Sequence, residues 1–263
     1  MSRSGLLVFV RAVVALGGRS IRQTFRKPQF LAPIFVFPTL VLAVNTGATS
    51  AGREIPGFPE VAGFLDFELA GGMIQATMLA GVSGGIALAA DIEMGFTDRL
   101  IAAPIPRSTI VLGRLAATAV LGALVGVWFV LIGLLFGAEV QAGPLGALVV
   151  LVLVFMAAAV FGGLTAAIAL KSGSPSSVQG IFPLTFVLVF LSSAFFPRAL
   201  LVEPARTIAD YNPMSYIVEG FREPIVADLT LGASLACLAA VALLGAIGAA
   251  LSGLALRSRL RNG

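Results

Sequence analysis

Histidine is absent from this 263-residue sequence, cysteine occurs once, at Cys237, and lysine occurs only at positions 27 and 171. A single cysteine excludes an internal disulfide, and without histidine the chain lacks the side chain that most often moves protons or binds metal. Neither lysine follows a glycine in a G-x-x-x-x-G-K pattern, which excludes ATP hydrolysis by a phosphate-binding loop. The sequence therefore predicts no catalytic, metal-binding or cofactor-binding residue.

Charge is scarce as well. Charged residues make up 11% of the chain, against about 25% in a soluble domain, and the mean hydropathy is +1.02. All the charges avoid six long runs, each of which exceeds the length of about 20 residues that crosses a hydrocarbon core. The runs cover residues 28–52, 69–90, 115–138, 140–170, 172–197 and 229–256.

Because a lipid-exposed segment must satisfy its backbone hydrogen bonds internally, the runs are predicted to be helices. The expected fold class is an all-α integral membrane protein, formed as a single domain over residues 1–263. Gly81, Gly84 and Gly85 in the second run are expected to permit close helix packing. The six transmembrane helices are predicted at 29–48, 69–90, 111–137, 145–170, 177–197 and 230–256.

Basic residues are unevenly divided between the two sides of the predicted membrane. The side that holds both termini carries thirteen of the seventeen Lys and Arg residues, and the opposite side carries ten of the thirteen acids. By the positive-inside rule the basic side is cytoplasmic. This predicts a multi-pass protein of a bacterial inner (plasma) membrane with both termini in the cytoplasm. The basic residues are spread along the membrane edge, which favours contact with lipid and not with nucleic acid.

Residues 1–28 are predicted to form an amphipathic helix on the cytoplasmic membrane surface. At 100° per residue, four arginines of this segment fall within about 80° of arc, and apolar residues occupy the remainder. Two interpretations stay open, a passive basic anchor and a helix that contacts a partner.

None of the six runs contains a charged residue. Proton-coupled carriers and intramembrane hydrolases normally use buried Asp, Glu or His, and the predicted spans lack these residues, so both classes are disfavoured. Sodium coupling through carbonyls and hydroxyls stays open, and a stand-alone secondary carrier or channel is kept as a hypothesis. If the chain is a pump, its energy must arrive through a cytoplasmic surface.

The only sizeable predicted cytoplasmic loop lies between the second and third spans, at residues 91–114. It opens with Asp91 and Glu93, whose charges suit a helix N-terminus. The pattern predicts a short helix to about Ala103 that is stopped by Pro104 and Pro106. A rigid helix across the ends of two spans can transmit a force from a cytoplasmic contact to those spans, whereas a flexible linker cannot.

This loop resembles the cytoplasmic loop of type-2 ABC exporter permeases, particularly of their daunorubicin-resistance-type branch. The resemblance is carried by Asp91, Gly95, Asp98-Arg99, Pro104, Arg107 and Gly113-Arg114. It implies that residues 91–107 are a coupling helix that docks on a separate ATPase subunit. Many relatives have Gly-Thr where this chain has Gly95-Phe96. The residues assigned to ATPase coupling are Asp91, Glu93, Gly95, Phe96, Asp98, Arg99, Leu100 and Arg107.

A second resemblance follows the fifth predicted span. The sequence SSAFFP at 192–197 and the segment after it are similar to the family's external hairpin, which implies a re-entrant loop at 198–229. The implied external gate consists of Tyr211, Asn212, Pro213 and Tyr216. The residues themselves leave another interpretation open, in which Asn212-Pro213 begins a helix at the membrane interface with both tyrosines at the lipid headgroups.

The resemblance also implies a transport pathway lined by the second and fifth spans. Flexible apolar side chains with few polar groups suit a hydrophobic or amphipathic cargo. A phenylalanine stripe on a membrane helix is more often lipid-facing or packed against other helices, so this alternative stays open. The candidate pathway residues are Met73, Gln75, Thr77, Met78, Phe182, Phe186 and Phe190.

In function, the resemblance implies the transmembrane subunit of an ABC exporter that moves a drug or lipid outward by alternating access, as in drug efflux and antibiotic resistance. ATP and Mg would be bound by two copies of a partner ATPase, and this chain would hold no cofactor. A second permease copy, or a homologous permease, would complete a dimer. The alternative cargo is a cell-envelope glycan or glycolipid.

Overall fold

The computed structural model describes residues 3–49, 55–59 and 61–262, and every regular element in these ranges is helical. A short 3-10 turn covers Arg198–Leu200. The α-helices are α1 (Arg3–Phe25), α2 (Pro28–Thr49), α3 (Phe64–Glu93), α4 (Phe96–Ala102), α5 (Ser108–Leu135), α6 (Gly143–Ser172), α7 (Pro175–Gln179), α8 (Phe182–Phe190), α9 (Ala205–Tyr211), α10 (Pro213–Val226) and α11 (Leu231–Asn262).

Of the described helices, five are long and apolar enough to cross a bilayer, namely α2, α3, α5, α6 and α11. They correspond to the first, second, third, fourth and sixth predicted spans. The fifth predicted span, 177–197, is not one continuous helix. It is divided into α7 and α8, which together cover Pro175–Phe190 and fall short of the about 20 residues that a straight span needs.

Local chemistry explains the interruption of the fifth span. Gly180 follows the last residue of α7, and Pro183 lies in the first turn of α8, where its missing N–H costs nothing. Beyond Phe190, the Ser192 hydroxyl donates to the Val189 carbonyl at 2.5 Å and accepts from the Ala194 N–H at 3.2 Å. These side-chain bonds compete with helix continuation and turn the chain.

Helix α3 extends beyond the charge-free run at both ends. It begins at Phe64, where the Asp66 carboxylate accepts from the Gly63 N–H at 2.7 Å. Asp66, Glu68 and Asp91 are therefore part of this helix, and all three are buried. The expectation of uncharged spans holds for the middle of α3 but not for its ends.

Helices α3 and α6 form the centre of the bundle. They approach closely at Gly81, where an added Cβ would lie 2.5 Å from the Cβ of Phe161. The Thr165 hydroxyl of α6 donates to the Gly81 carbonyl at 2.7 Å. The expectation that the second span uses glycine for close packing is thus confirmed at Gly81.

Two shorter segments cover opposite ends of this bundle. Helix α1 lies along the beginning of α5, and α10 packs on α3, α6 and α11. We call the end that carries α4 the inner end, and the end that carries α10 the outer end.

Candidate functional site

Asp91 lies at the inner end of α3 between two arginines. Its carboxylate accepts from Arg19 of α1 through two bonds, Nη1 to Oδ2 at 2.9 Å and Nη2 to Oδ1 at 3.1 Å. Oδ2 also accepts from Nη2 of Arg114 on α5. Asp91 and Arg114 are both buried and Arg19 is partly exposed, so this charge-assisted group ties three helices together and its Asp91–Arg114 pair is shielded from water.

Arg19 makes a further contact with the start of α4. Its guanidinium lies 3.7 Å from the ring centroid of Phe96, a cation–π geometry. One side chain of α1 therefore holds both the last turn of α3 and the first residue of α4. We refer to Arg19, Asp91, Phe96 and Arg114 as the inner arginine cluster.

The predicted coupling segment 91–107 is not one helix. Residues 91–93 end α3, Gly95 takes a left-handed conformation with φ +69°, and α4 covers Phe96–Ala102. Helix α4 ends before Pro104, as expected from the disfavoured helical conformation before proline. The left-handed Gly95 separates α4 from α3, and the two helices stay in contact.

The candidate coupling residues divide by exposure. Glu93, Asp98, Arg99 and Arg107 are exposed, and Gly95, Phe96 and Leu100 are half-buried. Asp91 is 3% exposed, so it lies behind this surface and not on it. The segment therefore presents charges of both signs on a base held by the inner arginine cluster.

Arg222 of α10 organises the outer end. It is buried, and its guanidinium donates to the carbonyls of Phe67 at 3.1 Å, Ser193 at 3.0 Å and Ala194 at 2.7 Å. The same group lies 3.7 Å from the Phe67 ring centroid. Burial lowers the pKa of Arg222 to about 10, and the carboxylates of Glu68 and Glu219 oppose the shift. Arg222 therefore stays charged at neutral pH.

A second arginine lies beside this contact. Arg198 donates to both carboxylate oxygens of Glu219, at 2.7 and 2.8 Å, and its guanidinium lies 4.4 Å from the Tyr216 ring centroid. The Tyr216 hydroxyl donates to the Asp210 carbonyl at 2.6 Å. Sequence reasoning missed Arg198 and Arg222. Their signal was an arginine next to an apolar motif, as in FFPR and EGFR.

Asn212 connects α10 to α8. Its side-chain oxygen accepts from the Met214 N–H at 2.9 Å and caps α10, while its amide nitrogen donates to the carbonyls of Leu188 at 2.7 Å and Leu191 at 3.1 Å. Pro213 follows in the first turn of α10. Tyr211 is 85% exposed. The four predicted gate residues are adjacent, but only Asn212 is buried.

The predicted pathway residues of α3 divide between two faces. Met73 and Thr77 are one turn apart, and the Thr77 hydroxyl donates to the Met73 carbonyl at 2.6 Å. Gln75 and Met78 lie on the other face, in a narrow crevice that Phe186 of α8 also lines. Both polar atoms of the Gln75 amide are buried without a hydrogen-bond partner among the residues that the structure describes.

Phenylalanine rings continue from this crevice along α8. The centroids of Phe182 and Phe186 are 4.8 Å apart, and those of Phe186 and Phe190 are 6.4 Å apart. The row goes on to Phe195, 4.9 Å from Phe190, and Phe186 also meets Phe37 of α2 at 5.6 Å. The structure therefore brings Gln75, Met78 and this row together.

Residues 11–226 match the family model described as ABC-2 type transporter. The chain belongs to this family. It is a transmembrane permease, a multi-pass membrane protein of a kind that lacks ATPase activity and pairs with an ABC ATPase subunit. The resemblance inferred from the cytoplasmic loop is confirmed.

Among named relatives, this permease is 26% identical over 217 residues to the putative transport permease ycf38 of Porphyra purpurea, covering 81% of this chain and 73% of that protein. The ycf38 protein of Pyropia yezoensis is 27% identical with the same coverage. The daunorubicin resistance ABC transporter permease protein DrrB1 of Streptomyces coeruleorubidus is 28% identical over 165 residues, covering 61% of this chain and 57% of that one.

Proposed function

We propose that this permease forms the membrane pathway of an exporter that moves a hydrophobic or amphipathic drug or lipid outward across a bacterial inner membrane. Alternating access, driven by ATP hydrolysis in the partner subunit, is the proposed mechanism. The observation that carries the proposal is the inner arginine cluster, because it joins the segment 93–107, through Phe96, to α1, α3 and α5. The coupling helix of the family is proposed to be α4 with its flanking turns.

Force applied to α4 has a short route into the bundle. Phe96 lies against the Arg19 guanidinium, Arg19 is bound to Asp91, and Asp91 is bound to Arg114. Each contact is charged or aromatic and at least partly buried, so displacement of α4 is expected to move the ends of α3 and α5 together. Glu93, Asp98 and Arg99, the exposed charges that flank or lie on α4, are proposed to contact the ATPase.

The cargo is proposed from the crevice between α3 and α8. Its lining is mainly apolar, with Gln75 and Thr185 as polar groups, and the phenylalanine row extends it along α8. The crevice has almost no free volume in this structure, so it is proposed to open during alternating access, when such a surface would suit a flat or chain-like amphipathic molecule. The name of DrrB1 refers to daunorubicin resistance, and this supports a drug-like cargo for the present chain.

Six crossings and two cytoplasmic termini are also proposed. With five crossings the two ends of the chain would face opposite sides, yet α1 and the end of α11 are both rich in arginine. The positive-inside rule is satisfied at both ends if α7, α8 and the following turn cross as one broken span. Two permeases and two ATPase copies, which bind ATP and Mg, are proposed to form the exporter.

Coupling is tested by co-expressing the permease with its ATPase subunit and measuring complex formation and ATP turnover. Gly95→Pro removes the left-handed turn, which proline cannot adopt, and Asp98→Arg reverses a charge on the exposed face. Both variants are expected to lose assembly or permease-dependent turnover. Arg206→Glu, an exposed charge reversal on α9, is the matched control. Unchanged assembly and turnover in both test variants would contradict the assignment.

Transport is tested in proteoliposomes that hold the complete complex and a fluorescent amphipathic drug. ATP-dependent movement of the drug is expected, together with loss of movement when the ATPase subunit is omitted. Movement of the drug against its gradient by the permease alone would contradict the exporter proposal and indicate a secondary carrier. Movement of a glycolipid but not of the drug would instead identify the alternative cargo class.

A further inference from the structure

A cavity of about 310 Å³ lies at the inner end of the bundle between α5, α6 and α11. Helices α5 and α11 both pack along α6, and the cavity occupies the space between them. We call it the inner groove. Its lining includes Val111, Leu115, Gly163, Gly248, Ser252 and Leu256.

The inner groove is separate from the proposed pathway. On α6 it is lined by Gly163, whereas Thr165 faces α3 and donates to the Gly81 carbonyl. Two residues at 100° each place positions 163 and 165 about 160° apart around the helix. The groove therefore opens on the side of α6 that faces away from α3, and its occupant need not be cargo.

The groove is apolar and opens toward lipid. The Ser252 hydroxyl in its wall already donates to the Gly163 carbonyl at 3.0 Å and offers its proton to no ligand. Leu112 lines it with an exposed fraction of 39%, and Leu251 and Leu254, which alternate with its lining residues on α11, are 48% and 62% exposed. In a multi-pass membrane protein, leucines exposed along a spanning helix lie against hydrocarbon. An occupant that enters from this side is itself a hydrocarbon chain.

The length of the inner groove matches the hydrocarbon thickness of one leaflet. Along α11 the lining extends from Gly245 to Leu256. At 1.5 Å per residue this distance is about 16 Å, or roughly half of a 30 Å hydrocarbon core. A single acyl chain of the inner leaflet fits this length.

Two arginines lie at the inner mouth. Arg107 directly precedes Ser108, the first lining residue of α5, and Arg257 directly follows Leu256, the last lining residue of α11. Both are exposed, and neither forms an ion pair with a described residue. Basic side chains at this depth attract anionic headgroups. We infer that the inner groove binds one acyl chain of an anionic phospholipid, whose headgroup is held by Arg107 and Arg257.

Photo-crosslinking in nanodiscs tests this inference on the full-length chain. The probe is phosphatidylglycerol with a diazirine in one acyl chain, and the labelled positions are mapped by mass spectrometry. We expect residues 108–115 and 245–256 to be labelled above the lipid-facing leucines and valines of α2. Phosphatidylcholine with the same chain is expected to label the groove more weakly.

Two sets of variants distinguish binding of the acyl chain from binding of the lipid headgroup. Gly253 lines the groove, and a Cβ added there would meet no atom within 4 Å, so Gly253→Leu fills the space and is expected to reduce groove labelling by about fivefold. Gly47→Leu on α2 adds the same bulk at an equally open position outside the groove and is the control. Arg107→Gln with Arg257→Gln is expected to lower phosphatidylglycerol labelling by about tenfold. Arg11→Gln with Arg26→Gln removes equal charge from α1 and from the turn that follows it, and is the second control.

Three results would overturn the inference. The first is groove labelling no stronger than that of α2, which indicates ordinary surrounding lipid. The second is equal labelling of the wild type by phosphatidylglycerol and phosphatidylcholine, which would show that the two arginines do not select the headgroup. The third is crosslinking of the groove to a second copy of the chain, which identifies it as a protein interface. None of these readouts depends on transport, so the inference and the proposed function fail independently.

Discussion

Arg19 and Asp91 form a two-bond ion pair across 72 positions of sequence, with nitrogen–oxygen distances of 2.9 and 3.1 Å. The pair fixes the amphipathic helix α1 to the inner end of α3, and Arg114 completes the contact from α5. Arg19 thus faces the bundle, although its position among the α1 arginines suggested either a basic anchor on the membrane or a contact with a partner. Helix α1 is part of the inner structure and not simply an anchor.

Asp91→Asn is expected to destabilise the protein by about 3 kcal/mol, because the buried Arg114 would lose its counter-charge. The measurement is the thermal unfolding midpoint of the purified protein in detergent. Glu93→Gln, two residues away and exposed, is the control and is expected to leave the midpoint unchanged. Equal midpoints for both variants would show that the inner arginine cluster contributes little.

Arg222→Lys keeps the charge but loses the planar fork that reaches three carbonyls. A lysine can satisfy few of these acceptors, and each buried carbonyl left unpaired costs about 1–3 kcal/mol. We expect a destabilisation of about 3 kcal/mol in the same unfolding assay. Arg206→Lys on the exposed surface of α9 is the control. A wild-type midpoint for the Arg222 variant would mean that charge alone suffices there.

Asn212→Asp separates two roles of one side chain. Aspartate still accepts from the Met214 N–H and caps α10, but it cannot donate to the Leu188 and Leu191 carbonyls. We expect a loss of about 2 kcal/mol together with faster hydrogen exchange at the end of α8. If the variant matches wild type in both measurements, the cap is the whole contribution of Asn212.

Long uncharged runs predicted six spanning helices, and five of them are present in the structure, because membrane insertion depends on segment-wide composition, which the sequence displays directly. The end of α4 before Pro104 was also predictable, because the residue before a proline disfavours the helical conformation. The break at Gly180 was not predicted, because residues 177–197 contain no charge and the spans were defined by their lack of charge. Turn chemistry at Pro183 and Ser192 was the available signal.

The partners of the charged residues were not predictable from the sequence. Asp91 carried a family assignment to the ATPase surface, but its burial depends on Arg19 and Arg114, which are 72 and 23 positions away. Arg222 likewise gains its role from carbonyls of Phe67 and Ser193, which no local pattern marks. Tertiary pairing of ions requires the folded arrangement.

Gln75→Leu distinguishes a transport role for Gln75 from a packing role. Both amide atoms are buried without partners among the described residues, so an apolar side chain of similar size removes an unmet hydrogen-bonding demand. The free energy of unfolding is therefore expected to stay equal or to rise by about 1 kcal/mol.

Drug transport by the complete complex is expected to fall at the same time, because the cargo would lose its polar contact beside Phe186. Leu184→Ala on the exposed side of α8 serves as the control for general disturbance of this helix. A Gln75→Leu variant that is more stable and still transports at the wild-type rate would remove Gln75 from the pathway, since its amide would then be needed neither for folding nor for cargo.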